Sequence, residues 1–166
     1  MKLKLTTALA ASAFLAACQN SPQYTEDEKT VEAKAIPGSA ADFAQNVPDS
    51  AYFAFDRSDL NHDARHNLLQ QVEWLKRYPQ MAVVIEGRTD ERGTREYNLA
   101  LGERRAVAAK RFMAANGVGE TMQGHGRNSN RHIRTVSFGK EKPVATQSAG
   151  DEKAFQLNRV ATTKVE

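Results

Sequence analysis

The sequence has few of the residues that mark chemical or covalent machinery. Among 166 residues there is one cysteine and one tryptophan. A lone thiol excludes an internal disulfide and a thiolate-based zinc site. No apolar run approaches the roughly 20 residues needed to span a bilayer as a helix, since the stretch from Leu5 to Ala17 has only about 13. No block of like charge is present either. The formal charge is +3, and setting aside Lys2 and Lys4 leaves 21 basic against 20 acidic residues. Bulk charge therefore gives no case for nucleic acid as a partner, and any electrostatic recognition must be local. No serine or cysteine sits in a recognisable nucleophile motif, and no internal repeat is visible.

What is present begins at the N-terminus. Lys2 and Lys4, an apolar stretch broken only by small polar residues, and small residues before Cys18 have the layout of a secretory signal peptide over 1–17. Leu15-Ala16-Ala17-Cys18 resembles the lipobox of bacterial lipoproteins, in which the cysteine is acylated and becomes the mature N-terminus. Two or more acyl chains give stable anchoring, at about 0.8 kcal/mol per buried methylene. Gln19 stands where an Asp retains enteric lipoproteins at the inner membrane, so the expected location is the outer membrane, facing the periplasm. Residues 18–45 are polar and small, with Pro22, Pro37 and Gly38, and read as a lipidated N-terminus and flexible tether of roughly 30 Å reach.

One folded domain is expected over 46–166. Phe53 and Phe55 alternate with small residues, which predicts a strand over Ala51–Phe55 with Asp56 at its end. Ala64, Leu68, Val72 and Leu75 have helical spacing between Asn61 and Tyr78-Pro79. Trp74 on that helix reads as core or rim rather than a sugar platform. Met81–Glu86 reads as a buried strand, and Glu96–Asn116 as a helix carrying Leu99, Leu101, Ala108 and Phe112, weakened by Gly102. A strand at Ile133–Phe138, a short helix at Asp151–Leu157 and a strand at Arg159–Lys164 complete the order β-α-β-α-β-α-β. That alternation implies an α/β fold, a sheet layered by helices.

The densest polar cluster is Gly87-Arg88-Thr89-Asp90-Glu91-Arg92-Gly93-Thr94, between a predicted strand and a predicted helix. Loops leaving a rigid strand are where binding groups are displayed. Arg105 lies two to three turns into the helix that this loop feeds, so an acid and a guanidinium can converge on one ligand. This stretch, with Tyr97-Asn98-Leu99 and Leu101-Gly102-Glu103-Arg104-Arg105-Ala106, closely resembles the OmpA-like peptidoglycan-binding domain family. Tyr52-Phe53-Ala54-Phe55-Asp56, Gly139-Lys140-Glu141-Lys142-Pro143 and Asn158-Arg159 extend the resemblance over about 50–164.

The resemblance implies a mixed four-stranded sheet in an α+β sandwich and non-catalytic binding of the diaminopimelate residue of the wall's peptide stem. Carried over, Asp90 accepts from the diaminopimelate ammonium, Arg105 pairs with a stem carboxylate, and Asp56 and Arg92 flank the pocket. Thr89, Glu91, Gly93 and Asn98 support the loop. With the lipobox, it implies the lipid-anchored branch of the family, which works with the Tol proteins TolB and TolA in envelope integrity and cell division. No cofactor or metal is expected. The alternatives are a wall-modifying hydrolase, or a wall anchor outside the Tol system such as a motor stator, which needs a transmembrane helix.

Three departures stand out. Arg88 replaces a frequent His and is expected to alter the pocket's charge, and Val160 replaces a frequent second Arg. Gly119–His132 is longer than usual and, with Gly124, Gly126, Asn128 and Asn130, reads as a mobile surface loop. His125 and His132 within it lack a supporting carboxylate or thiol and do not match a metal motif.

Overall fold

The computed structural model describes residues 35–119, 133–146 and 150–166. The signal peptide, Cys18, most of the tether, His125, His132 and all of the long loop but Gly119 lie outside those residues.

The clearest sequence pattern becomes helix α2, His62–Arg77. Asn61 caps it, its side-chain oxygen accepting from the Ala64 N–H at 2.8 Å, and Pro79 follows the terminal Tyr78. Ala64, Leu68, Val72 and Leu75 are all buried. So is Trp74, whose ring packs 5.0 Å from Phe43 and 4.6 Å from Tyr78, centroid to centroid. It is a core residue.

Phe43 belongs to a helix that the sequence reading placed in the tether. α1 spans Ala40–Asn46, with Ser39 as its N-cap, and the compact unit runs from Ala33 to Glu166. The tether boundary at 45 is therefore too late. A seven-residue helix with one large apolar side chain has no stripe to detect, and its stability comes from docking Phe43 into the core. The Asp42 carboxylate completes the attachment by accepting from the Trp74 indole at 2.9 Å and from the Gly38 N–H at 2.8 Å.

Four strands form one sheet in the order β1-β4-β2-β3, with β1 at Ser50–Tyr52, β2 at Val83–Arg88, β3 at Ile133–Gly139 and β4 at Val160–Val165. β4 is antiparallel to both β1 and β2, while β2 and β3 are parallel, so the sheet is mixed. Val83 and Ile85 of β2 and Ala161 and Val165 of β4 join the α2 stripe in the main core. Gln71 is a polar member of this interior, donating to the Pro48 carbonyl at 2.6 Å and accepting from Thr163 at 2.6 Å.

Two strands differ from expectation. β1 ends at Tyr52 instead of continuing to Phe55. Phe53 still makes one bond to Arg159 and is buried, but the chain then turns over Ala54–Arg57, closed by the Arg57 N–H on the Ala54 carbonyl at 3.2 Å. Asp56 takes a positive φ of 56° in that turn, a conformation that aspartate tolerates better than most. Phe55 is thereby thrown outward and is 54% exposed. β2 runs two residues later than Met81–Glu86, through Gly87.

The reason Gly87 lies within a strand is helix α3, Arg95–Ala115. A Cβ on Gly87 would lie 1.9 Å from the Gly102 carbonyl oxygen, and one on Gly102 would lie 2.4 Å from Ser137 Oγ. The glycine taken as a weakness is where helix and strand backbones touch. α4, Glu152–Asn158, capped by Asp151, leads through Arg159 into β4.

Candidate binding site

The site lies where β2 and the segment after β1 run out beside the first turns of α3. At the end of β2 the pairing with β3 slips by one residue, Gly87 facing Ser137 and Arg88 facing Gly139. Such an irregularity re-aims the chain that follows. The Thr89 N–H is caught by the Gly139 carbonyl at 2.9 Å. The loop of 89–94 then closes on α3, whose N-cap is Thr94.

Four residues shape that loop. Asn98, buried on α3, donates to the Arg92 carbonyl at 2.9 Å. Gly93, at φ 96°, makes a bend that a side chain would strain. The Lys140 ammonium donates to the carbonyls of Glu91 at 3.2 Å and Gly93 at 2.8 Å. Thr89 contributes through its backbone, for its Oγ1 is the one buried side-chain polar atom among the described residues without a hydrogen-bond partner.

A pocket of about 160 Å³ opens beside the loop, lined in part by Asp56, Asp90, Arg92, Gly93, Asn98 and Arg105. The four residues assigned to ligand contact thus converge on one cavity. Tyr97 and Phe55 complete its rim. Asp56 is exposed and accepts a very short hydrogen bond from the Tyr97 hydroxyl, which holds that phenol above its ordinary pKa.

Asp90 is only 3% exposed. Its Oδ2 accepts from Arg92 Nη2 at 2.5 Å and Nε at 3.2 Å, and from Arg159 Nη1 at 3.3 Å. Glu152 on α4 shares both guanidiniums, at 2.8 Å from Arg159 Nη1 and 3.5 Å from Arg92 Nη1. The Arg92 guanidinium also stacks on Phe55 at 4.0 Å and Phe155 at 4.9 Å. These bonds raise its pKa, the one to Asp90 most of all.

Arg105 is the largest fully buried side chain. Its Nε donates to the Arg57 carbonyl at 2.9 Å, Nη1 to Arg88 at 2.8 Å and Nη2 to Ala54 at 3.2 Å. One guanidinium thus ties the turn carrying Asp56 to the end of β2. Burial lowers its pKa to about 10, partly offset by Asp90 nearby, so the charge persists at neutral pH. The pocket therefore presents a fixed anion and a fixed cation.

Two departures from the family pattern fall outside the pocket. The Arg88 side chain turns away, pairing with Glu86 at 2.7 Å and donating to the Lys142 carbonyl at 2.9 Å. The expected change in pocket charge does not arise, because only the Arg88 carbonyl faces Arg105. Val160 is buried in β4 opposite Tyr52, an apolar packing position. Residue-level reasoning passed over Arg159, Glu152, Phe55 and Tyr97 as members of the site. The signal for Arg159 was a charge directly after Asn158, at the head of a strand that carries no other charge before Lys164. Phe55 and Tyr97 gave none beyond being aromatics near Asp56 and the loop.

Comparisons with known proteins bear on the family and the fold. The model of the OmpA family matches residues 52–156. A peptidoglycan-associated lipoprotein of Brucella melitensis is 43% identical over 162 residues, covering 96% of this chain and 89% of that protein. The crystal structure of the peptidoglycan-associated lipoprotein from Burkholderia pseudomallei aligns with a TM-score of 0.61 at 39% identity, covering 72% of this chain and 91% of that one. The C-terminal domain of Helicobacter pylori MotB aligns with a TM-score of 0.58 over 72% of this chain and 84% of its own, but at 16% identity it speaks to the fold alone. The mixed sheet, the loop after its parallel pair and these matches together place the chain in the OmpA family.

Proposed function

We propose that this protein is a non-catalytic, outer-membrane lipoprotein that grips peptidoglycan by the diaminopimelate of its stem peptide. The observation that carries the reading is the convergence of Asp90 and Arg105 on one small pocket. Diaminopimelate ends in an ammonium and a carboxylate, and a zwitterion is matched by one fixed anion and one fixed cation. A guanidinium with N–H groups to spare can receive the carboxylate bidentately. Asp56 and Arg92 border the entrance.

Anchoring would come from acylation of Cys18, and residues 19–34 would span part of the distance to the wall. The names of the relatives support the wall-binding part of the reading, and TolB and TolA are the partners the resemblance implies. Binding to purified sacculi tests the site. The wild type should sediment with the wall, and the pair Asp90→Ala with Arg105→Ala should stay in the supernatant while keeping its circular dichroism. Equal retention of both would overturn the assignment.

A further inference from the structure

The two charged corners of the pocket differ in how far the chain itself has satisfied them. Asp90 is occupied. Arg92 and Arg159 both sit on its Oδ2, and Glu152 neutralises the second positive charge, so the four groups balance. The two arginines are not equivalent. The Arg159 side chain is 8% exposed and also tied to the Phe53 carbonyl at 3.1 Å, whereas that of Arg92 is 36% exposed. Arg92 can swing toward solvent while keeping Glu152. Arg159 cannot.

Arg105 has no such balance. No carboxylate of the described residues lies within ion-pair distance of it, and its hydrogen bonds to the main-chain carbonyls of Arg57, Arg88 and Ala54 use three of its five N–H groups. Carbonyl dipoles satisfy donors but do not neutralise the charge. A fully buried cation that Asp90 and Asp56 support only from beyond ion-pair distance is a costly arrangement that a bound anion would relieve.

We infer that the pocket selects its ligand through a free carboxylate delivered to Arg105, and that Arg92 stands where the ligand's ammonium will sit on Asp90. This rests on the stem-peptide reading above and adds a ranking of the ligand's two charges. An arriving ammonium replaces the charge-assisted hydrogen bonds that Arg92 already makes to Asp90, with little net gain. An arriving carboxylate displaces no side chain from Arg105 and gives that charge the contact ion pair it lacks among the described residues. Stems whose diaminopimelate carboxylate is amidated should be rejected, whereas loss of the amine should be tolerated.

Calorimetric titration of the full chain in detergent micelles separates these possibilities. Three synthetic stem tripeptides serve as probes: one ending in meso-diaminopimelate, one with its free-end carboxylate amidated, and one with 2-aminopimelate, which lacks the free-end amine. Amidation should weaken binding by at least about 100-fold and loss of the amine by less than about 5-fold. In Arg92→Gln, where only the fixed Arg159 remains on Asp90, loss of the amine should cost more than about 10-fold, and Arg92→Lys should restore the wild-type tolerance. Equal costs for the two modifications in the wild type, or an amine dependence unmoved by Arg92→Gln, would overturn the inference. No binding of the unmodified tripeptide would overturn the stem-peptide reading itself.

Discussion

Helices α2 and α3 lie against the same sheet and bury one face each, but they do so with different chemistry. α2 buries Ala64, Leu68, Gln71, Val72, Trp74 and Leu75, a stripe at the helical period with a single amide, Gln71, among apolar side chains. α3 buries Asn98, Leu101, Gly102, Arg105, Ala106, Ala109 and Met113, a face interrupted by an amide, a glycine and a guanidinium. The first arrangement serves only to hold the fold together. The second places polar groups where they cost stability and give the pocket its character, which is the usual pattern at functional sites.

The contrast can be sharpened by substitutions on either side of it. The largest effect is expected from Leu68→Ala, which empties a fully buried site on α2 and should cost about 2–5 kcal/mol in urea unfolding. Binding by the folded fraction should be unchanged, because Leu68 touches no part of the pocket. Next comes Gly87→Ala, whose methyl would drive α3 off β2, at about 1–3 kcal/mol. Here stem-peptide affinity should fall as well, since Arg105 would lose its register with the Arg88 carbonyl. If the two variants changed affinity alike, the division between the helices would fail.

The smallest effect lies at the far end, in α1. The Gly38 N–H and then the Trp74 indole hold the Asp42 carboxyl below its ordinary value of 3.8. A depressed value in the folded state means this contribution is intact above pH about 4 and is lost as pH falls through the folded value. Trp74 emission should therefore shift as acid releases α1, before the main unfolding transition. Asp42→Asn should remove that step and leave stem binding unaltered.

The same contrast decides what could be read in the sequence. α2 was legible to its cap because period, Asn61 and Tyr78-Pro79 all agree. The range of α3 was nearly right, but of its expected apolar residues only Leu101 is buried. Leu99, Ala108 and Phe112 are half-buried, and the true face runs through Arg105 and Asn98, which a search for apolar residues reads as surface. α1 left a signal that went unused, a Ser39-x-x-Asp42 pattern at its N-cap. Phe55 misled because a turn with positive φ at Asp56 follows no hydrophobic rule. The pocket itself came from motif resemblance, while its charge balance needed coordinates, since Glu152 and Arg159 lie more than fifty residues along the chain from Asp90.

The central claim, that Asp90 and Arg105 receive the two ends of one diaminopimelate, is tested most directly by a 15N NMR titration of the full chain with the diaminopimelate-ending stem tripeptide. Saturable 1:1 shifts should gather at Phe55, Asp56, Thr89–Gly93, Asn98 and the Arg105 Nε–H. An unchanged spectrum, or shifts confined to the far side around Trp74 and Asp42, would contradict it.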